Sequence, residues 1–149
     1  MSATSQSIVT ALQGALAAEH AAVYGFGVVG ALLTGTGQTD ARGAWIAHEN
    51  ERDALIQMLT NLGATPVAAS PAYQLPFPVT DAQSARQLAA TIEDGVTRAY
   101  LGVVAVNDTK LRDFGARMMQ TSANRASIWS GTTVAFPGMP SKSASAPAK

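Results

Sequence analysis

The 149 residues, 47% of them apolar, suffice for one domain with a sizeable core and leave no room for two ordinary ones. Ten basic and ten acidic side chains balance, with neither a polybasic tract nor an arginine-and-aromatic pattern, which argues against a nucleic-acid partner. Cysteine is absent, so disulfides, thiolate nucleophiles and iron–sulfur ligation are excluded, and any metal would rest on carboxylate and histidine.

At the N-terminus, Met1 to Ser5 has no basic segment, and Gln13, Glu19 and His20 interrupt the apolar run behind it. No signal peptide is predicted, and the expected location is cytoplasmic. The longest unbroken apolar stretch, Ala21 to Leu33, contains three glycines and falls short of the roughly 20 residues that a bilayer requires, so no membrane association is expected.

From Ser7 to about Thr34, Ile8, Leu12, Leu16, Val23, Phe26 and Leu33 recur at helical spacing, and Glu19 fills the missing place in that stripe. Gly25, Gly27 and Gly30 lower helix propensity by about 1 kcal/mol each relative to alanine. A close helix contact within the bundle or across a dimer would offset them; a ligand cavity beside Glu19 is the less favoured reading. Gly35-Thr36-Gly37 supplies a turn, and Thr39 or Asp40 can cap a second helix that runs to about Asn61 and closes at Gly63. Its predicted inner face is Ala44, His48, Glu51, Leu55, Met58 and Leu62. Glu49, Arg52 and Asp53 read as a solvated face with local ion pairs.

Pro66, Pro71, Pro76 and Pro78 exclude a helix between Ala64 and Thr80. The segment is long for a connection, and its alternating Tyr73, Leu75 and Phe77 predict an ordered strap laid along the bundle. Thr80 and Gln83 resemble a capping box opening a third helix with the stripe Ala85, Ala89, Glu93, Val96, Tyr100 and Val103. After a break at Asn107-Asp108-Thr109, a fourth helix runs to about Ser130 with Leu111, Phe114, Met118, Ser122, Arg125 and Trp129 on one face, and Gly131 ends it. Residues 132–149 form a tail whose last ten or so residues are expected to be mobile.

Short, long and short connections among four helices predict an all-α four-helix bundle: two antiparallel hairpins joined by one Pro-rich crossover between helices two and three. Three glutamates then lie at mid-helix on apolar faces. Burying an uncompensated carboxylate costs several kcal/mol, so each requires a metal, an arginine or a proton.

The loop pattern, the mid-helix glutamates and the strings LQGALAAEHAAVYGFG, AHENERDAL, SPAYQLPFPV and WSG…FPG resemble the ferritin-like superfamily, and within it a family of unknown function. The resemblance implies a Glu from each of helices one and three and a Glu-x-x-His from each of helices two and four, clasping two iron or manganese ions. Glu19, Glu51 and Glu93 match three of those carboxylates. The histidines do not follow: Ala54 stands three residues after Glu51, and helix four has no glutamate.

His48, three residues before Glu51, shares its face and is a candidate substitute ligand, whereas His20 adjoins Glu19 but points about 100° away. Two occupants of the site follow. In the favoured one no cofactor is bound, and Arg125 offers its fork of donors to the carboxylates while one carboxylate is protonated or bonded to Tyr24 or Tyr100. In the alternative, Glu19, Glu51, Glu93 and His48 hold an iron or manganese ion. Tyr24, Tyr100 and Trp129 are candidates to line a small-molecule pocket, although Trp45 and Trp129 are as simply core or interface.

Three functions are open on this reading. The leading one is a non-catalytic structural or binding module, expected as a homodimer through an apolar helix face. The others are a metal-dependent oxidase and a small-ligand carrier.

Overall fold

A computed structural model describes residues 2–139, with helices α1 (Ala3–Leu32), α2 (Gly35–Asn61), α3 (Ala82–Val104) and α4 (Thr109–Ser130) and no strand among the described residues. The expected mobile end of the tail, residues 140–149, lies outside the described residues.

Each helix starts at a short polar side chain or a glycine. Ser2 Oγ accepts from the Ser5 N–H at 3.1 Å, so α1 begins four residues before the expected Ser7. The turn into α2 is tighter than the sequence suggested: only Leu33 and Thr34 separate the helices. Gly35 then takes φ 58°, left-handed backbone that favours glycine, so Thr39 and Asp40 lie inside α2 and cap nothing. The capping box of α3 is formed by Asp81 and Ser84, one residue along from the expected Thr80 and Gln83. Asp108 caps α4 through the Leu111 N–H at 2.9 Å, and Gly131, at φ 70°, ends it as expected.

The helices form an all-α four-helix bundle. Close backbone packing joins α1 to α2 and α3, and α3 to α4; α2 and α4 meet through side chains. The expected strap is present: between residues 73 and 79 half-buried Tyr73, Leu75, Phe77 and Val79 alternate with exposed neighbours. Gln13 fastens it to α1 by bonds to Thr65 O (2.7 Å) and from Val67 N–H (2.8 Å), His20 bonds Val67 O at 3.0 Å, and Tyr24 packs on Tyr73. These α1 residues lie off the inner stripe, so the crossover covers a side of α1 that the other helices leave open. By length and composition α1 could cross a bilayer. Here α1 packs against α2 and α3, with its inner stripe buried and the strap bonded to another side of it.

The described part of the tail returns to the bundle. Arg98 Nε donates to Gly138 O at 3.3 Å, and a Cβ at Gly138, which is buried at φ 77°, would meet Thr97 and the Arg98 backbone.

Two apolar clusters make up the core. One contains Leu12, Leu16, Leu55, Leu59, Val96, Tyr100 and Val103; the other contains Phe26, Val29, Leu33, Ala41, Leu88, Ala89 and Trp129. Within α2, α3 and α4 the residues between them, His48 and Glu51, Glu93, and Ser122 and Arg125, are polar, so the bundle carries a polar layer at mid-height.

Candidate functional site

The layer is built from one or two side chains of each helix. Glu19, His48 and Glu93 are fully buried, the Glu51 side chain is 12% exposed and the Arg125 side chain 20%. Helical spacing explains the convergence. His48 and Glu51 are one turn apart on α2, Ser122 and Arg125 are one turn apart on α4, and Glu93 and Tyr100 lie two turns apart on α3.

His48 stands among the three carboxylates. Its Nδ1 lies 2.7 Å from Glu19 Oε2 and 3.4 Å from Glu51 Oε2, and its Nε2 lies 3.2 Å from Glu93 Oε1. The face of Phe26 stacks on the ring at 5.2 Å. Tyr100 donates its hydroxyl to Glu19 Oε1 at 2.7 Å. Arg125 Nη2 donates to Glu51 Oε1 at 3.3 Å, and its Nη1 lies 3.9 Å from Glu93 Oε2. Glu51 Oε2, Glu93 Oε2, Ser122 Oγ and Arg125 Nη1 are buried without a hydrogen-bond partner among the described residues.

This geometry favours a charged ring. A neutral imidazole would turn a lone pair toward one carboxylate, whereas an imidazolium donates from both nitrogens. Burial pulls the His48 pKa down, but the hydrogen bonds to Glu19 and Glu93 and the Glu51 carboxylate 3.4 Å away outweigh it and lift the pKa to about 11. Burial raises the Glu19 carboxyl above the usual range despite its bonds to His48 and Tyr100. Glu51 falls below that range, because His48 and Arg125 together overcome its burial. Burial and the adjacent Glu19 charge push the Tyr100 hydroxyl up, so it stays a phenol and a donor.

The expected central residues Glu19, Glu51, Glu93, His48 and Arg125 therefore come together. The cationic contribution differs from expectation: Arg125 reaches Glu51 and Glu93 only at 3.3 and 3.9 Å, while His48 makes the shortest ion contact. Tyr100 takes the anticipated bond to a carboxylate, and Tyr24 does not. Tyr24 is exposed and packs on Tyr73 at 5.4 Å, so it lines no pocket with Tyr100 and Trp129. Trp129 lies behind Phe26 at 6.1 Å and under the Arg86 guanidinium at 6.0 Å, and of the three pocket-lining candidates it is the one that borders a surface groove. A surface groove of about 810 Å³ beside it is lined by Arg86, Ala90, Thr91 and Asp94 among others. Ser122, part of the predicted α4 stripe, was not singled out for the site; its position three residues before Arg125 is the signal that could have found it.

Atoms of Glu19, His48 and Glu51 lie within 4.8 Å of one another, a grouping within reach of one metal ion. The donor set does not fit a pair of metals. Both ring nitrogens of His48 already face carboxylates, and α4 presents a guanidinium where a Glu-x-x-His would stand. The only acid of α4, Asp113, is exposed and paired with Arg117.

No curated protein matches the chain significantly. Among solved structures, a conserved hypothetical protein of Mycobacterium tuberculosis is similar at 34% identity and a TM-score of 0.82, over 85% of this chain and 96% of that one. A protein of Bacillus anthracis str. Ames, described as ferritin-like and diiron-carboxylate, shares the fold at 16% identity and a TM-score of 0.76, over 88% of this chain and 98% of its own. The family described as domain of unknown function DUF4439 matches residues 11–141. With that match over most of its length and a ferritin-like solved neighbour, the chain belongs to the DUF4439 family and has a ferritin-like four-helix fold.

Proposed function

We propose that this protein is a non-catalytic ferritin-like module whose interior carboxylates are neutralised by its own side chains, with no resident metal, and which serves as a structural or binding protein. The observation that carries the reading is the position of His48, with one ring nitrogen on Glu19 and the other on Glu93. A ring protonated on both nitrogens has no lone pair for a metal, so His48 could become a ligand only by losing a proton. The missing α4 carboxylate and histidine support the same reading. The binding half of it rests on the groove beside Trp129, where Arg86, Asp94 and apolar side chains line one concave surface.

A single-metal oxidoreductase is the second reading. It is favoured by the proximity of Glu19, His48 and Glu51 and by the two free oxygens, Glu51 Oε2 and Glu93 Oε2. Purification without chelators, followed by metal analysis before and after equilibration with iron(II) or manganese(II), separates the two. The expected result is less than about a tenth of an equivalent of metal per chain, since an unprotonated ligand set is needed for tight binding. Near-stoichiometric metal that is lost in Glu51→Ala would replace the first reading with the second.

A further inference from the structure

We infer that Arg125 is the specificity-determining residue that keeps divalent metal out of this bundle, a tethered cation standing where the fourth helix would otherwise contribute a ligand. The inference rests on the metal-free reading above and assigns it to one side chain.

The polar atoms around Arg125 point to a cation site held shut rather than a tightly sealed ion pair. Among the described residues Glu51 Oε2 and Glu93 Oε2 are buried without a hydrogen bond, Ser122 Oγ is buried one turn before Arg125 with no partner, and Arg125 Nη1 makes no hydrogen bond. These three oxygens are hard donors of the kind that manganese(II) or iron(II) accepts, and Glu51 belongs with Glu19 and His48 to a group whose atoms lie within 4.8 Å of one another. The guanidinium serves this set poorly. It makes one hydrogen bond, at 3.3 Å, and its second nitrogen stops 3.9 Å from Glu93. Its charge, however, lies within 4 Å of both carboxylates that an ion would need, and an arginine cannot shed its proton to make way as His48 can.

The surroundings allow position 125 to change without dismantling the core. Arg125 borders a cleft of about 320 Å³ between α2 and α4, lined also by Thr39, Asp40, Gly43, Ala44, Ile128 and Trp129. Close backbone packing joins α1 to α2 and α3 to α4 but not α2 to α4, so a shorter side chain leaves the α1–α2 and α3–α4 contacts in place.

The test is titration of the full chain with manganese(II) chloride by calorimetry, and with cobalt(II) chloride for the visible spectrum of a ligated ion. Wild type, Arg125→Lys, Arg125→Glu and Arg125→Met are compared, with circular dichroism to establish folding. Wild type and Arg125→Lys are expected to bind neither ion. Arg125→Glu is expected to take up one equivalent with affinity raised by about 100-fold or more, and adding Glu51→Gln should reverse that gain. A folded Arg125→Glu that binds no better than wild type, or whose binding survives Glu51→Gln, overturns the inference. If Arg125→Glu fails to fold, Arg125→Met decides: a gain below about tenfold overturns it. Stoichiometric binding by the wild type would instead overturn the metal-free reading itself, a separate and recognisable failure.

Discussion

A histidine ring buried among three glutamates can satisfy them by carrying a proton on each nitrogen, and the metal-free reading turns on that second proton. Removing one partner of a buried, hydrogen-bonded ion cluster leaves uncompensated charge and costs about 3–5 kcal/mol. His48→Gln should lose stability on that scale in urea unfolding near neutral pH. The pH dependence has a definite sign. The His48 pKa is raised in the folded state from 6.5 to about 11, so its contribution is fully present below pH 6.5 and is lost as pH rises through about 11. Over that window the stability difference between wild type and His48→Gln should shrink, at up to about 1.4 kcal/mol per pH unit. A difference that stays constant would show that the ring is neutral. Glu19, also raised, acts in the same direction, with its contribution present below 4.5 and lost as pH rises through its folded value. Glu51, lowered, acts oppositely: its contribution is present above 4.5 and lost as pH falls.

At the scale of the helix, small residues set how closely elements approach. A Cβ on Gly115 of α4 would lie 3.0 Å from Val103 Cγ1 and 3.1 Å from the Val104 backbone nitrogen, and backbone cannot yield as a side-chain tip can. Gly115→Ala should therefore destabilise by about 1–3 kcal/mol in chemical denaturation, despite alanine's better helix propensity. The α1 glycines divide. A Cβ on Gly25 would collide with the Ile92 side chain of α3, in line with the close approach expected there, whereas one on Gly30 would meet Ala41 of α2 at an ordinary 3.9 Å, and nothing in the structure explains Gly27.

The interior stripes could mostly be read from spacing, because an apolar face and a glutamate within it share one helical period, although Leu62, expected on the inner face of α2, lies past its end and exposed while Leu59 is buried; the strap could be read from its two-residue alternation. Exact helix starts could not, since Ser2, Gly35 and the Asp81–Ser84 pair act through backbone angles and single hydrogen bonds that periodicity does not encode. Tyr24 was misplaced for a simple reason. Five residues beyond Glu19 it is turned about 140° from it, whereas Tyr100, seven beyond Glu93, returns to the same face. Arg125 was visible as an inner-face cation, but the charge of His48 arises only when carboxylates from three helices converge on it, and no local pattern announces that.

For the whole molecule, the polar layer divides the core into two apolar clusters and aligns the four helices. Only one register brings Glu19, His48, Glu51, Glu93 and Arg125 together, which suits a layer that specifies arrangement more than it adds stability. Replacing all five with apolar residues of similar volume should leave stability unchanged or raise it by about 1–4 kcal/mol in urea unfolding, in contrast to the loss in His48→Gln. A collective loss larger than that of His48→Gln alone would mean that the layer is a net source of stability. The expected homodimer stands as a proposal, which light scattering on the intact chain would test.

Protonation of one ring underlies the metal-free reading, and a ¹H–¹⁵N spectrum of the imidazole groups at about pH 8.5 reads it directly, well above the ordinary histidine pKa. The chain has two histidines, and His20→Gln leaves the His48 signals alone. The expected spectrum shows both His48 nitrogens protonated, each with a slowly exchanging, hydrogen-bonded proton. A neutral ring with one bare nitrogen at that pH would contradict the account.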